Sequence, residues 1–431
     1  MKKFAFIGAG SYVFTRELAR DILTYDQFRD CELALMDTDK ERLSTIKKAV
    51  DRIVSAGGYP ATVTATSDRA EALKGADGVL CTIKVGNEKV VRVDFEIPKK
   101  YGVDINVGDT IGPAGIFRAM RTAPVMVDIC RDIEKYCPDA IFLNYTNPMS
   151  MLTKIMQSTS KVNVIGLCHS VQDCAAQMAR WMGAPIEEIS YLCAGINHQA
   201  WYIQWKRNGK DAYPELMEAL KKPEVYNEEL VRNNMLQKLG YMVTESSGHN
   251  SEYNAWYRKR PDLIEKYCTH STGNNPGLYG MGMKERNWKD EIEAFSRQEE
   301  VDLKRGHEYA AKIFNAVFGD GELFEFNGNL MNHGYITNLP EDSCVEVPIL
   351  ASPYGFKPIH VGKLPPQLAI LNNINAQCHD LAVEGILNKD RQKIYHAVCF
   401  DPLTSAVLTL DEIESMVNEM FEASKGWIGW D

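Results

Sequence analysis

Cys168, His169 and Ser170 stand in a row near the end of the apolar run "IGLCHSVQ" (165–172), and His198 follows in "CAGINHQAW" (193–201). A cysteine thiolate and a neutral imidazole are both ligands for divalent transition metals. A thiol beside an imidazole is also the pairing of nucleophilic catalysis. Each residue has a plainer reading too, because free cysteine is among the most buried residue types and a histidine can be satisfied by hydrogen bonds inside a core. Eleven cysteines, odd in number, scattered and without CxxC pairs, predict neither a disulfide framework nor a zinc finger.

The elements that must position these groups alternate. "FAFIGAG" (4–10), "ELALMD" (32–37), "ATVTAT" (61–66), "GVLCTI" (78–83), "AIFLNY" (140–145) and "VNVIGL" (162–167) read as strands, with helical spacing between them, as in "KERLSTIKKAVDRIV" and "APVMVDICRDIEKYC". Strands and helices in alternation predict an α/β fold, a Rossmann-type doubly wound parallel sheet like that of lactate and malate dehydrogenases. We assign residues 1–190 to this domain. From 191 to 431 the alternation fails. Long polar helical stretches (284–318), a short strand at "SCVEVPIL" (343–350) and a glycine-rich loop (271–283) predict a mixed α+β domain for substrate, metal and oligomer contacts. A nucleotide fold gives no support to a cysteine nucleophile, and leaves Cys168 at the end of a sixth strand, where such sheets bind ligands.

The first strand runs into "GAGSYV" (8–13). Gly8 and Gly10 supply the first two glycines of a dinucleotide fingerprint, Ser11 follows them, and Val13 replaces the third glycine. Asp37 ends the second strand, where a carboxylate meets the adenosine ribose. An acid there repels a 2′-phosphate, so NAD is expected over NADP.

The chain is 431 residues long with a formal net charge of −10, which argues against a nucleic-acid footprint or an anionic membrane partner. The N-terminus reads as a strand rather than a signal peptide, and no apolar run approaches the roughly 18 residues of a membrane span. A reduced, cytoplasmic protein with a small-molecule partner is expected.

"FIGAGS", "ALMD", "DTIGPAGIFRAMRT" (109–122), "CPDAIFLNYTNPM" (137–149), "IGLCHSVQ", "AGINHQAW", "LGYMVTESSGHNSEY" (239–253), "ITNLPEDSCVEVP" (336–348) and "DPLTSAVL" (401–408) come in an order that resembles glycoside hydrolase family 4. The "CHSV" block is most similar to its α-galactosidase branch. The resemblance implies a glycosidase that needs NAD and a divalent metal, generally Mn²⁺, and departs from the two-carboxylate scheme. A hydride leaves C3, a proton leaves C2, the aglycone is eliminated, water adds at C1 and the hydride returns, with retention.

The resemblance also implies roles. Cys168 and His198 match metal ligands, and Asn147 matches a residue that binds ring hydroxyls. Tyr253 is the expected C2 base. His169 is the leaving-group acid or a reader of the sugar, with Glu245 and His249 as alternatives. His249 and Arg118 are candidate substrate contacts, while Arg121, one turn from Arg118, would touch ligand or pair with surface acids. "KVGNEKVVRVDFEIP" and the stretch from 268 depart from the α-galactosidase pattern, so another α-hexoside or a hexuronide stays open. A homodimer or homotetramer is expected, with the apolar "GWIGW" (426–430) in subunit contacts. A 2-hydroxy-acid dehydrogenase and a non-catalytic sensor of sugar or NAD are the rival classes.

Overall fold

The computed structural model describes residues 1–268 and 300–430, with 290, 292, 294, 295 and 297 between them. All six strands expected in the first half form: β1 (Lys3–Ile7), β2 (Glu32–Met36), β3 (Thr62–Thr66), β4 (Gly78–Cys81), β5 (Ile141–Asn144) and β6 (Asn163–Gly166). They are parallel, in the order β3-β2-β1-β4-β5-β6. Side chains alternate across the sheet with period two. Ala5, Ile7, Val79 and Phe142 pack into one apolar cluster, while Phe4, Phe6, Leu80 and Leu143 pack into another. A sheet covered on both faces is what an all-parallel arrangement requires. The order reverses between β1 and β4, which opens a crevice at the carboxyl ends of the strands.

The second half extends this sheet. β7 (Ile189–Ile196), β8 (Gln199–Arg207), β9 (Lys210–Asp211), β10 (Phe324–Met331), β11 (Cys344–Ser352) and β12 (Gly355–Pro358) are added in antiparallel pairs. β10 joins β6 with Asn329 opposite Gly166, and β11 joins β7 with Glu346 opposite Gly195. Residue 190 therefore lies inside β7, and the strands before and after it belong to one sheet.

Two expectations need correction. The helix read at 123–137 starts earlier, at Gly112, and runs Gly112–Tyr136 through Pro124. The helical stretches expected over 284–318 do not include residues 301–309, which are irregular, and the last of them is the helix Ala310–Phe318. Tertiary bonds win there, since Gly306 N–H donates to Asp21 (2.8 Å) and Arg305 Nε donates to Thr24 Oγ1 (2.8 Å). The rest of that stretch up to 289, with the glycine-rich loop 271–283, lies outside the described residues. In "GWIGW", Ile428 and Trp430 are buried in the core beside Phe421, while Trp427 is exposed.

Candidate active site

The turn after β1 is built by short contacts. Gly8 has φ +85°, and a Cβ on it would come within 2.9 Å of the Thr82 carbonyl, so only glycine fits. Gly10 N–H donates to Asp37 Oδ2 at 2.7 Å, and a Cβ on Gly10 would meet that same oxygen at 2.7 Å. Asp37 Oδ1 accepts the N–H of Asp39 at 2.8 Å. Asp37 thus fixes the turn as well as ending β2. Each of its oxygens keeps a second lone pair, which a ribose hydroxyl can use. Ser11 is the N-cap of the helix Tyr12–Leu23, makes no side-chain cap bond, and no acid stands in that helix's first turn. A helix start of this kind suits a phosphate.

Next along the crest comes a polar cluster. His198 sits in the two-residue connection between β7 and β8 at φ +65°, and Glu245 has φ +66°. Left-handed backbone is uncommon for residues other than glycine and gathers at functional sites. Ligand atoms of Cys168, His198 and Glu245 lie within 4.8 Å of one another, as do those of Asp109, His198 and His249. Burial holds the His198 imidazole down at about 4 against the pull of Glu245, so it is neutral at pH 7. Thiol, neutral imidazole and carboxylate form a donor set that fits a first-row transition metal. Burial, reinforced by Glu245 and Glu346, pushes the Cys168 thiol well up, so a metal there displaces a proton.

His249 lies between two acids. Its Nδ1 is 3.2 Å from Glu245 and its Nε2 is 3.5 Å from Asp109. Burial opposes charge on all three groups, but their mutual attraction outweighs it: His249 is held well above the usual imidazole range, and Asp109 and Glu245 well below the usual carboxylate range. Held ionised, Glu245 has no proton to give, which disfavours it as the leaving-group acid. Asp109 also accepts from Asn147 Nδ2 at 3.1 Å, and the backbone carbonyl of Asn147 accepts from Arg118 Nε at 3.2 Å. Asn147 Oδ1 is buried with no hydrogen-bond partner, an acceptor that a sugar hydroxyl would satisfy. Arg121 does not reach the cluster: it forms a buried two-point pair with Asp94.

Tyr253 is fully buried, with Oη 3.5 Å from His198 Nδ1. Thr110 Oγ1 lies 3.3 Å from the same nitrogen. Burial, then Asp109, pushes the Tyr253 phenol well above its ordinary value. Its use as a base therefore requires a cation nearby, which is what a metal on the Cys168–His198 pair would supply. The neighbouring Glu252 accepts the backbone N–H groups of Asn106, Val107 and Gly108. That bond set pins the loop carrying Asp109 and Thr110 against the segment carrying Tyr253.

The model of the family 4 glycosyl hydrolases matches residues 3–184, and that of the family 4 glycosyl hydrolase C-terminal domain matches residues 193–404. The chain belongs to family 4 of the glycosyl hydrolases. It is 38% identical to an α-galactosidase of Bacillus subtilis (strain 168), over 99% of each chain. It is 39% identical to an α-galactosidase of Rhizobium meliloti (strain 1021), over 99% of this chain and 89% of that one. A 6-phospho-α-glucosidase from gut microorganisms, solved in complex with NAD and Mn²⁺, shares the fold at a TM-score of 0.80 and 19% identity, covering 99% of this chain and 98% of that one.

Within this family 4 chain the structure brings Cys168, His198, Glu245, His249, Asn147 and Tyr253 together, and leaves Arg121 apart. His169 stands beside them, its ring 5.8 Å from Tyr145 and its Nε2 bonded to Glu308. Sequence reading missed Asp109, Thr110, Glu252 and Glu308 as members of the site. Asp109 and Thr110 open the "DTIGPAG" block and were visible there as residue types. Glu308 had no signal beyond its polarity.

Proposed function

We propose that this family 4 chain is an α-galactosidase that works with NAD⁺ and a divalent metal, Mn²⁺ being the first choice. The observation that carries this reading is the convergence of Cys168, His198 and Glu245 within 4.8 Å, at the carboxyl end of a sheet whose first turn has Gly8, Gly10 and Asp37 in nucleotide-binding positions. Cys168 and His198 would hold the metal, and Gly8, Gly10, Ser11 and Asp37 the nucleotide. When bound, NAD⁺ takes and returns a hydride at C3 of the sugar, and the metal acts as a Lewis acid at the neighbouring oxygens.

The chain's own residues do the remaining work. Asn147 accepts a ring hydroxyl at its open Oδ1, with Arg118 holding the Asn147 backbone. Tyr253 removes the C2 proton once C3 is a ketone, the C1–O bond to the aglycone breaks, and water adds at C1. Water enters C1 from the face that the aglycone left, which retains the anomeric configuration, and Tyr253 returns its proton to C2 on the same face, which restores that carbon. His169 protonates the departing oxygen or reads a sugar hydroxyl. His249 meets the substrate from between Asp109 and Glu245.

The same reading makes the protein a cytoplasmic homodimer or homotetramer acting on a soluble oligosaccharide or glycoside. No described helix is long and apolar enough to cross a membrane. Two domains belong to this proposal: 1–190 for the nucleotide, which also lends Asn147 and Cys168 to the site, and 191–431 for the other sugar, metal and subunit contacts. Release of p-nitrophenol from α-galactoside, α-glucoside and α-galacturonide, with and without NAD⁺, Mn²⁺ and a thiol reductant, is the test. The expected result is α-galactoside cleavage lost on removing either NAD⁺ or metal; cleavage that survives both removals defeats the mechanism.

A further inference from the structure

Residues 305–309 form an irregular strap over the start of the helix that follows β6. One end is tied to the helix Tyr12–Leu23 and its C-cap, through Gly306 N–H to Asp21 and Arg305 to Thr24. The other end grips two consecutive residues of the "CHSV" block. Tyr309 Oη donates to the carbonyl of Cys168 at 2.6 Å and accepts the N–H of Cys168 at 3.1 Å. Glu308 accepts from His169 Nε2.

The His169 ring has little freedom. It lies 5.5 Å from the Phe14 ring and stacks at 26° on Tyr145, 5.8 Å away. Phe14 follows the glycine turn and Tyr145 follows β5, so both belong to the crest of the crevice. The imidazole side chain is 31% exposed while Glu308 is 9% exposed, so the ring reaches the open space and its anchor does not. With Nε2 engaged, Nδ1 is the ring's other polar atom.

We propose that Glu308 is a positioning residue, which holds His169 Nε2 so that Nδ1 is the ring atom offered to a hydroxyl of the hexose. This rests on the galactosidase reading. A buried carboxylate on one ring nitrogen fixes the direction of the other, as the partners of functional histidines do. A fixed nitrogen discriminates between two hexoses that differ in one hydroxyl, because the wrong epimer leaves a polar group unpaired. Without Glu308 the ring can turn about its side-chain bonds between Phe14 and Tyr145, and a misplacement of about 1 Å costs roughly 100-fold in rate.

The test compares Glu308→Ala and Glu308→Gln with the wild-type holoenzyme. Steady-state constants are measured on p-nitrophenyl α-galactoside and α-glucoside, and Mn²⁺ and NAD⁺ binding by calorimetry. In Glu308→Ala, kcat/KM on the galactoside is expected to fall about 100-fold, mostly in kcat, with the galactoside-to-glucoside ratio reduced and both cofactor affinities within about twofold of wild type. Glu308→Gln, whose amide oxygen still accepts the bond, is expected to stay within about tenfold. Unchanged kcat/KM and unchanged sugar preference in Glu308→Ala overturn the proposal. So does a parallel loss of Mn²⁺ or NAD⁺ binding, which would make Glu308 a support of the fold. A wild-type enzyme inactive on every α-hexoside overturns the galactosidase reading instead.

Discussion

Tyr253 Oη and His198 Nδ1 lie 3.5 Å apart, joining segments 55 residues distant in the chain. The pair sets the phenol directly beside a proposed metal ligand. Tyr253→Phe removes the only group of that side chain able to accept a proton and leaves the ring packing intact. Loss of a positioned base costs about 10²–10⁴ in kcat. The expected outcome is that loss with Mn²⁺ affinity unchanged, and with no solvent deuterium appearing at C2 of the product. A fully active Tyr253→Phe enzyme removes the assignment.

Asp37 holds Gly10 N–H and Asp39 N–H on its two oxygens. Its replacement therefore alters the nucleotide turn in two ways, by releasing both backbone donors and by removing a ribose acceptor. Hydrogen bonds to a charged group are worth about 1.5–3 kcal/mol, or roughly tenfold to 100-fold in affinity. Fluorescence titration of Asp37→Ala should show NAD⁺ binding weakened by about that factor, and the preference over NADP⁺ narrowed because the repelling charge is gone. Equal affinities in wild type and variant would end this account of the turn.

What could be read from the sequence was local in character. The six parallel strands were legible because short β-branched or apolar runs separated by helical spacing carry their own signal, and Cys168 and His198 stood out as ligand types at the ends of such runs. Glu252 and Glu308 were not legible. Their partners are 144 to 146 and 139 residues away, a separation at which spacing says nothing. The helix read at 284–318 failed over 301–309 for the same reason, since bonds to Asp21 and Thr24 override a periodicity that the local sequence does possess.

Glu346 gives the stability a pH dependence. It is fully buried on β11, and burial raises its carboxyl from 4.5 to about 8, opposed by the side-chain amides of Asn197 and Asn329. Between about pH 4.5 and 8 the native chain holds a proton that the unfolded chain has released. The unfolded state then binds fewer protons, so stability falls as pH rises through that window, by an amount on the order of 5 kcal/mol in all. Urea unfolding of the metal-free chain at pH 5.5, 7 and 8.5 should show this slope. Glu346→Gln, neutral throughout, should flatten it; an identical slope in both proteins would exclude Glu346 as its source.

Cys168 differs from the other ten cysteines, all of which are buried and free, in keeping partial exposure. Its ligand atom lies within 4.8 Å of those of His198 and Glu245, so a cation bound by the three would cover the sulfur. Alkylation needs both access and the thiolate, and a metal-bound sulfur offers its lone pairs to the ion instead. Iodoacetamide followed by peptide mass mapping should therefore label Cys168 first, slowly because burial holds its thiol protonated, and Mn²⁺ should suppress that labelling. Cys168→Ser replaces a soft anionic donor by a neutral hydroxyl and should lower Mn²⁺ affinity by about 10²-fold or more, as loss of one good ligand does. Labelling of Cys168 at the same rate with and without Mn²⁺, or wild-type metal affinity in the serine variant, would place the metal elsewhere, and the Asp109–His198–His249 group would be the next to test.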